Sequence, residues 1–212
     1  MNLKPDLNFR QILNMSFGFL GIQYGFGLQQ SNMSPIYRYL GADESSIPGL
    51  WLAGPLTGLL LQPIIGALSD KSWSPKWGRR MPYTLVGAIA GSVAMILMPN
   101  SKSVFMAACL MWLLDAGLNS SMESFRAFVG DMLNTKQRPV GYALQSFMIG
   151  FAQTLSNLMP FILPMIGISL ALGADKSITN GIPNSVRYPF YIGAASILLT
   201  VFWTMYSTKE YP

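Results

Sequence analysis

The chain contains no histidine in 212 residues. That excludes Ser/His and Cys/His catalysis, paired-histidine metal sites and any histidine proton relay, so proton chemistry here must fall to carboxylates. A single cysteine, Cys109, excludes an intrachain disulfide, and its place in an apolar run reads as a small buried apolar residue. Charge is scarce as well: 11% of residues are charged and 51% are hydrophobic. A soluble domain carries roughly twice that charged fraction, so the composition points to an integral membrane protein. The net charge of +5 comes without a basic helix or an aromatic-studded basic strand, which argues against a nucleic-acid partner and for basic membrane loops. The start, MNLKPDLNFRQ, lacks the apolar core and small-residue cleavage site of a secretory signal.

What the chain has instead is six apolar segments, near 12–39, 49–69, 82–99, 103–131, 139–166 and 188–207. Each is long enough for a bilayer core of about 30 Å at 1.5 Å per residue. The expected fold is therefore all-α and integral to the membrane, with six transmembrane helices, the lipid bilayer as its surroundings and no soluble domain between spans. The connections LGADESSIPG (40–49), SDKSWSPKWGRRMP (69–82), LNTKQRP (133–139) and GADKSITNGIPNSVRYP (173–189) break the helices with Gly, Pro, Asn and charge. Lys4, Arg10, Lys71, Lys76, Arg79, Arg80, Lys136, Arg138 and Lys209 fall on one side of this arrangement. Arg38, Lys102, Lys176 and Arg187 fall on the other. The basic side is the expected cytoplasmic side, which puts both termini in the cytoplasm and the protein in the cytoplasmic membrane. Trp51, Trp73, Trp77, Tyr188 and Tyr191 lie near helix ends, as interfacial aromatics do. Gly18, Gly21, Gly25, Gly54, Gly58, Gly87 and Gly91 recur at the spacing of close helix contacts, faces that either pack or slide.

The fourth span carries charge where charge is costly. Asp115 and Arg126 are eleven positions apart, about 20° around a helix, with Asn119 at about 40° and Glu123 at about 80°. The four share one face. With Asp131 at the cytoplasmic end, Asp115 lies about 24 Å in, Glu123 about 12 Å and Arg126 about 7.5 Å. A lipid-facing charge near mid-membrane costs about 2.5–3.5 kcal/mol on insertion scales. Glu123 and Arg126, at i and i+3, are expected to offset part of this by pairing. Asp115 has no basic residue within a turn, which makes it the candidate proton carrier. Such a stripe either locks helices together or lines a hydrated cavity. Gln23, Gln29, Gln30 and Asn32 on the first span, with Gln145, Gln153 and Asn157 on the fifth, suit a polyhydroxylated ligand, because each amide donates and accepts.

The loop GALSDKSWSPKWGRRMPY (66–83) resembles the cytoplasmic signature of major facilitator transporters, G-x-L-x-D-[RK]-x-G-R-[RK]. Gly66, Leu68, Asp70 and Lys71 match, and an insertion precedes Gly78, Arg79 and Arg80. The lengthened form, followed by Pro82 and Tyr83, is similar to the glycoside–pentoside–hexuronide branch and its sucrose/proton symporter-like group. WLAGPLTGLLLQPIIGALSD (51–70) and YGFGLQQSNMSPIY (24–37) resemble that group's second and first helices, and Asp115 and Arg126 keep its eleven-residue spacing. Glu123-Ser124 replaces the Gly-Pro of plant members, and SMESFRAFVGD looks like bacterial relatives associated with maltose-type sugars.

The resemblance implies a proton-coupled symporter of a disaccharide or glycoside, with H+ as coupling ion and no resident cofactor or metal. Residues 1–212 would form its amino-terminal six-helix half, the carboxy-terminal half being absent. Asp115 is then the proton-coupling residue, while Gln23, Gln29, Asn119, Glu123, Arg126 and Gln145 are the candidate sugar-site residues. Gly66, Asp70, Lys71, Gly78, Arg79, Arg80 and Asp131 form the expected cytoplasmic latch. Three rivals stand beside this reading: a membrane sensor or assembly subunit on the same scaffold, a half-transporter that dimerises, and an intramembrane aspartyl protease. The last needs a GxGD element of which FVGD (128–131) has only the end. Its two aspartates would also lie about 24 Å apart on one helix, too far to share a proton, so no enzyme activity is expected.

Overall fold

The computed structural model describes residues 4–165 and 182–211, and within them the chain forms helices and connecting turns with no strand. Helix α1 (Phe9–Tyr39) is followed by a one-turn helix α2 (Ile47–Leu50), then α3 (Ala53–Lys71), α4 (Met81–Leu97), α5 (Val104–Met132), α6 (Arg138–Met165) and α7 (Asn184–Ser207). The six long helices fall on the six apolar segments. Residue 166 of the fifth segment, and positions 173–181 of the loop after it with Lys176, lie outside the described residues.

Local chemistry sets several boundaries. Asn8 opens α1 with a reciprocal capping box: its Oδ1 accepts from Gln11 N at 2.9 Å, and Gln11 Oε1 accepts from Asn8 N at 2.8 Å. Ser103 caps α5 by accepting from Met106 N at 3.2 Å. Pro48 and Pro82 sit in the first turns of α2 and α4, where a missing N–H costs nothing.

By length and composition, Ile47–Lys71, Met81–Asn100, Val104–Met132 and Val186–Ser207 are apolar enough to cross a membrane. Helices α1 and α6, at 31 and 28 residues, are long enough but dilute their apolar runs with amides. Leu59, Ile64 and Leu68 of α3, with Phe147, Phe151 and Phe161 of α6, point out of the bundle. Outward apolar surface of this kind is stable in lipid, where water is not the solvent. Cys109 is exposed on the same outer surface, which corrects the buried role expected for it. In a bilayer an apolar run has no dry inside and wet outside, so its pattern cannot say which members face protein.

Helix α1 packs on α6 and α7, α4 packs on α5 and α7, and α3 packs on α5. Bare backbone permits the tightest of these contacts. A Cβ at Gly117 of α5 would lie 2.6 Å from both the Gly87 carbonyl oxygen and Gly91 N of α4. At Gly21 of α1 it would lie 2.7 Å from the Ser196 carbonyl oxygen of α7. Thr204 fastens that second contact, its hydroxyl accepting from Gly18 N at 2.8 Å and donating to Asn14 O at 2.9 Å. One apolar core, including Phe19, Leu28, Met95, Leu118, Phe125 and Phe190, fills the space between α1, α4, α5, α6 and α7. A smaller one, around Ile12, Met81, Phe128 and Val129, closes the basic end.

Candidate functional site

The α1–α5 packing brings Gln29 against Asp115. Asp115 is 1% exposed, and its Oδ1 accepts from Gln29 Nε2 at 2.7 Å. The other carboxylate oxygen, Oδ2, and Gln29 Oε1 are buried with no hydrogen-bond partner among the described residues. One turn on, Asn119 Nδ2 donates to the Asp115 carbonyl at 2.9 Å and to Thr57 Oγ1 at 3.3 Å, while its Oδ1 accepts from Gln62 Nε2 at 2.8 Å. Glycines of α3 face this stripe: a Cβ at Gly54, Gly58 or Gly66 would stand 3.7 Å, an ordinary contact distance, from a side-chain oxygen of Asp115, Asn119 or Glu123 respectively. Three of the four stripe residues therefore face α3 across a surface that is partly bare backbone.

A cavity of about 360 Å³ opens here. Amides of Gln23, Gln29, Gln30, Asn119 and Gln153 line it, with Asp115 beside them and Trp51, Phe26 and Met122 supplying apolar wall. Trp51 is not merely interfacial, as its place near a helix end suggested. Its indole Nε1 donates to Ser34 Oγ at 3.0 Å, which holds the ring at the cavity. Sequence position could not reveal this, because Ser34 sits on another helix. A second, larger groove of about 780 Å³ runs along α3 past Gln62, Gly66, Asp70 and Glu123, and shares Pro55 with the first.

Other expected residues are placed differently. Gln145, expected at the sugar site, is buried and donates through Nε2 to the Phe125 carbonyl at 2.9 Å, tying α6 to α5 away from the cavity. The amide that α6 does present there is Gln153, eight residues on. The expected Glu123–Arg126 pair is not made among the described residues. Glu123 turns towards α3 and its groove, while Arg126 is exposed on a neighbouring part of the helix surface. Three residues of separation leave about 60° between two side chains, so each can follow its own surroundings.

At the basic end, Arg80 joins three helices. Its Nε donates to Asp131 Oδ2 of α5 at 2.7 Å, Nη1 to Ser69 Oγ of α3 at 2.5 Å and Nη2 to Asp70 Oδ1. The planar guanidinium suits such a fork. Lys71 is exposed and Arg79 half-buried, and neither side chain makes an ion pair among the described residues. Lys4 Nζ and Arg138 Nη2 both donate to the Gly130 carbonyl, at 2.7 and 3.2 Å, where the C-terminal end of α5 favours cations. Burial first, then Arg138, holds the Lys4 ammonium below the ordinary lysine range, while Asp131 acts in the opposite direction.

The residue that the motif did not disclose is Glu210. After α7 the chain returns to the α3–α4 loop, and the Glu210 carboxylate accepts from the backbone N–H groups of Arg79 (2.6 Å), Arg80 (3.0 Å) and Met81 (2.9 Å). This is an anion seated on the exposed donors of the α4 N-terminus. Gly78 makes it possible, with φ of +75° and a missing Cβ that would lie 2.7 Å from Glu210 Oε2. The substitution Gly78→Ala is expected to cost about 2–3 kcal/mol, from the left-handed backbone and the displaced cap. Glu210→Ala should cost about 1 kcal/mol. The double substitution should cost less than the two singles added, because each single loses the same cap and the part of the clash made by the carboxylate goes, although the Cβ of residue 210, 2.7 Å away, remains. Thermal unfolding in detergent reads all three, and strict additivity would contradict the contact.

No protein-family model matches the chain. It is 36% identical over 146 residues to the sucrose transport protein SUC3 of Arabidopsis thaliana, covering 58% of this chain and 24% of that protein. It is 30% identical over 173 residues to the sucrose transport protein SUT2 of Oryza sativa subsp. japonica, covering 72% and 34%. The chain thus spans about a third or less of the length of these relatives. Among solved structures, a bacterial homologue of the human lysosomal transporter Spinster, inward-facing and unoccupied, superposes with a TM-score of 0.71 at 13% identity, over 96% of this chain and 43% of that one. The helix order, the stripe facing α3, the Arg80 fork and these relatives agree: the chain is a multi-pass membrane protein of the major facilitator superfamily, carries one six-helix half of that fold, and has the sucrose transport proteins among its relatives.

Proposed function

We propose that this chain is the amino-terminal half of a proton-coupled sugar symporter working by alternating access in the cytoplasmic membrane, with both termini in the cytoplasm. The carrying observation is a buried carboxylate, Asp115, set into a cavity walled by five amides and a tryptophan. A volume of about 360 Å³ is within the range of small-ligand sites, about 300–1,000 Å³. Amides that both donate and accept match sugar hydroxyls, and the flat indole of Trp51 suits the C–H face of a pyranose. Supporting the reading further, the relatives of this chain are sucrose transport proteins.

In the cycle, Asp115 takes a proton, which removes the cost of a buried charge and allows sugar to bind and the cavity to close. Gln23, Gln29 and Asn119 hold sugar hydroxyls, with Gln153 in the place first assigned to Gln145. Glu123 faces the route towards the basic end, with Arg126 exposed on the neighbouring surface of α5, and the Arg80 fork with Asp70 and Asp131 latches that end between turnovers. The second half would supply the opposite wall.

The test is Asp115→Asn in proteoliposomes holding the chain together with its second half. Proton-driven sucrose or maltose accumulation should fall to the level reached without a proton gradient, while exchange of labelled for unlabelled sugar continues. Accumulation equal to that of the unaltered protein would sink the coupling role.

A further inference from the structure

The mechanism above needs something to tell the sugar cavity whether Asp115 carries a proton. Asp115 faces few groups that could do so. From α3 it meets the bare backbone of Gly54. From α1 it meets Gln29 and, farther off, the titratable hydroxyl of Tyr37. Among the described residues no Lys, Arg, Asp or Glu of any helix packed on α5 acts on it. Among the described residues, Gln29 is the single side chain bonded to the carboxylate that also lines the cavity.

Its hydrogen bonds are one-sided. Nε2 donates to Asp115 Oδ1 at 2.7 Å and, weakly, to the thioether of Met111 at 3.5 Å. Oε1, the strong acceptor of the same amide, is buried without a partner among the described residues, and so is Asp115 Oδ2. This arrangement suits a carboxylate, which only accepts. A carboxyl group donates as well as accepts, so with its proton on Oδ2 it can bond Oε1 while Oδ1 keeps accepting from Nε2. The terminal torsion of a glutamine is broad, so the amide can tilt to close this second bond with little rotamer cost.

We propose that Gln29 is the positioning residue that reads the protonation of Asp115, its amide gaining a second hydrogen bond to that group when the carboxylate takes up a proton. The inference rests on Asp115 being the proton carrier. In the carboxylate state Nε2 donates to Oδ1. When a proton from the medium joins Oδ2, the new O–H donates to Oε1 while Nε2 keeps its bond to Oδ1. No covalent bond other than the new O–H forms. A side chain of the cavity wall is thereby held to Asp115 by two hydrogen bonds in the protonated state and by one in the other, so the wall that a sugar meets is firmer when the proton is aboard.

Difference infrared spectroscopy between low and high pH tests this without transport, on the full chain in bilayers with glutamine isotopically labelled at the side-chain carbonyl. The unaltered chain should show a carboxyl C=O band at low pH, together with a glutamine carbonyl band that moves to lower wavenumber as Oε1 accepts the O–H. Asp115→Asn should remove the part of the carboxyl signal that Asp115 contributes, together with the amide shift, and leave the bands of the other Asp and Glu residues in place. Gln29→Met should keep the carboxyl band and lose the amide shift. So should Gln29→Asn, whose amide is too short to reach, and it serves as the second variant if Met perturbs insertion. Tyr37→Phe should leave the amide shift intact. A carboxyl signal that loses nothing in Asp115→Asn overturns the carrier and the switch together. A carboxyl signal that is reduced there, with no glutamine shift in the unaltered chain, overturns the switch and leaves the carrier standing. An amide shift that depends on Tyr37 instead of Gln29 also overturns it.

Discussion

Replacing Arg80 with methionine should lower stability by about 3 kcal/mol, at the low end of the 3–5 kcal/mol typical of breaking a buried ion pair. Arg80 is 6% exposed and serves Asp131, Asp70 and Ser69 together. Its loss leaves two carboxylates near one another with no shared cation. The cost stays below the upper end because both carboxylates reach water, their side chains being 60% exposed at Asp70 and 37% at Asp131. Arg80→Lys should recover less than half, since one ammonium cannot reproduce three directed bonds from a planar fork. Adding Asp131→Asn to Arg80→Met should restore part of the loss by removing one of the stranded charges. Melting midpoints in detergent decide the matter, at roughly 2–4 °C per kcal/mol for a chain of this size. A midpoint unchanged in Arg80→Met would mean that the three helices are held at this end by apolar packing alone.

The second large effect is expected at Gly117. A Cβ there would meet the Gly87 carbonyl oxygen, Gly91 N and, at 3.0 Å, Gly91 Cα. These are backbone atoms and cannot rotate aside, so α4 and α5 must separate along their whole contact. Overpacking usually costs about 1–3 kcal/mol, and Gly117→Ala should sit at the top of that range. Gly117→Val should exceed it and leave little folded protein on size-exclusion chromatography. Gly150 provides the contrast: nothing lies within 4 Å of its missing Cβ, and it is mid-helix in α6. Gly150→Ala should be neutral or gain about 0.5–1 kcal/mol from helix propensity. If Gly117→Ala proved as harmless as Gly150→Ala, the close approach of α4 and α5 would be wrong.

These two sites were unequally legible. Arg80 stood out because a motif with Gly66, Asp70 and Gly78 surrounds it, yet its bond to Asp131 lies 51 residues away and that to Ser69 involves a position the motif leaves unspecified. Gly117 carried no signal of its own. It lies between Asp115 and Asn119, and its role depends on Gly87 and Gly91 arriving opposite it. Gln145 and Gln153 make the same point on one helix. Both read as amides available to a ligand, and only the rotation of α6 against α1 and α5 sends one to the Phe125 carbonyl and the other to the cavity. Glu210 was invisible for a further reason, since a lone acid after the last helix has no pattern until the chain folds back on α4.

By itself, the sequence determined the six spans, their capped and broken ends, and the single polar face that runs from Asp115 through Asn119 and Glu123. All of these are local, following from a rise of 1.5 Å and a turn of 100° per residue acting on where charge and amides fall. The tertiary structure alone decided who meets whom: Gln29 on Asp115, Gln153 and Trp51 at the cavity, Glu123 apart from Arg126, and Glu210 on the α4 N-terminus. In a membrane an apolar residue is at home against lipid or protein, so hydropathy cannot orient a helix about its own axis. Glycine contacts and the partners of the few polar groups fix that rotation, and both exist only once the helices have packed.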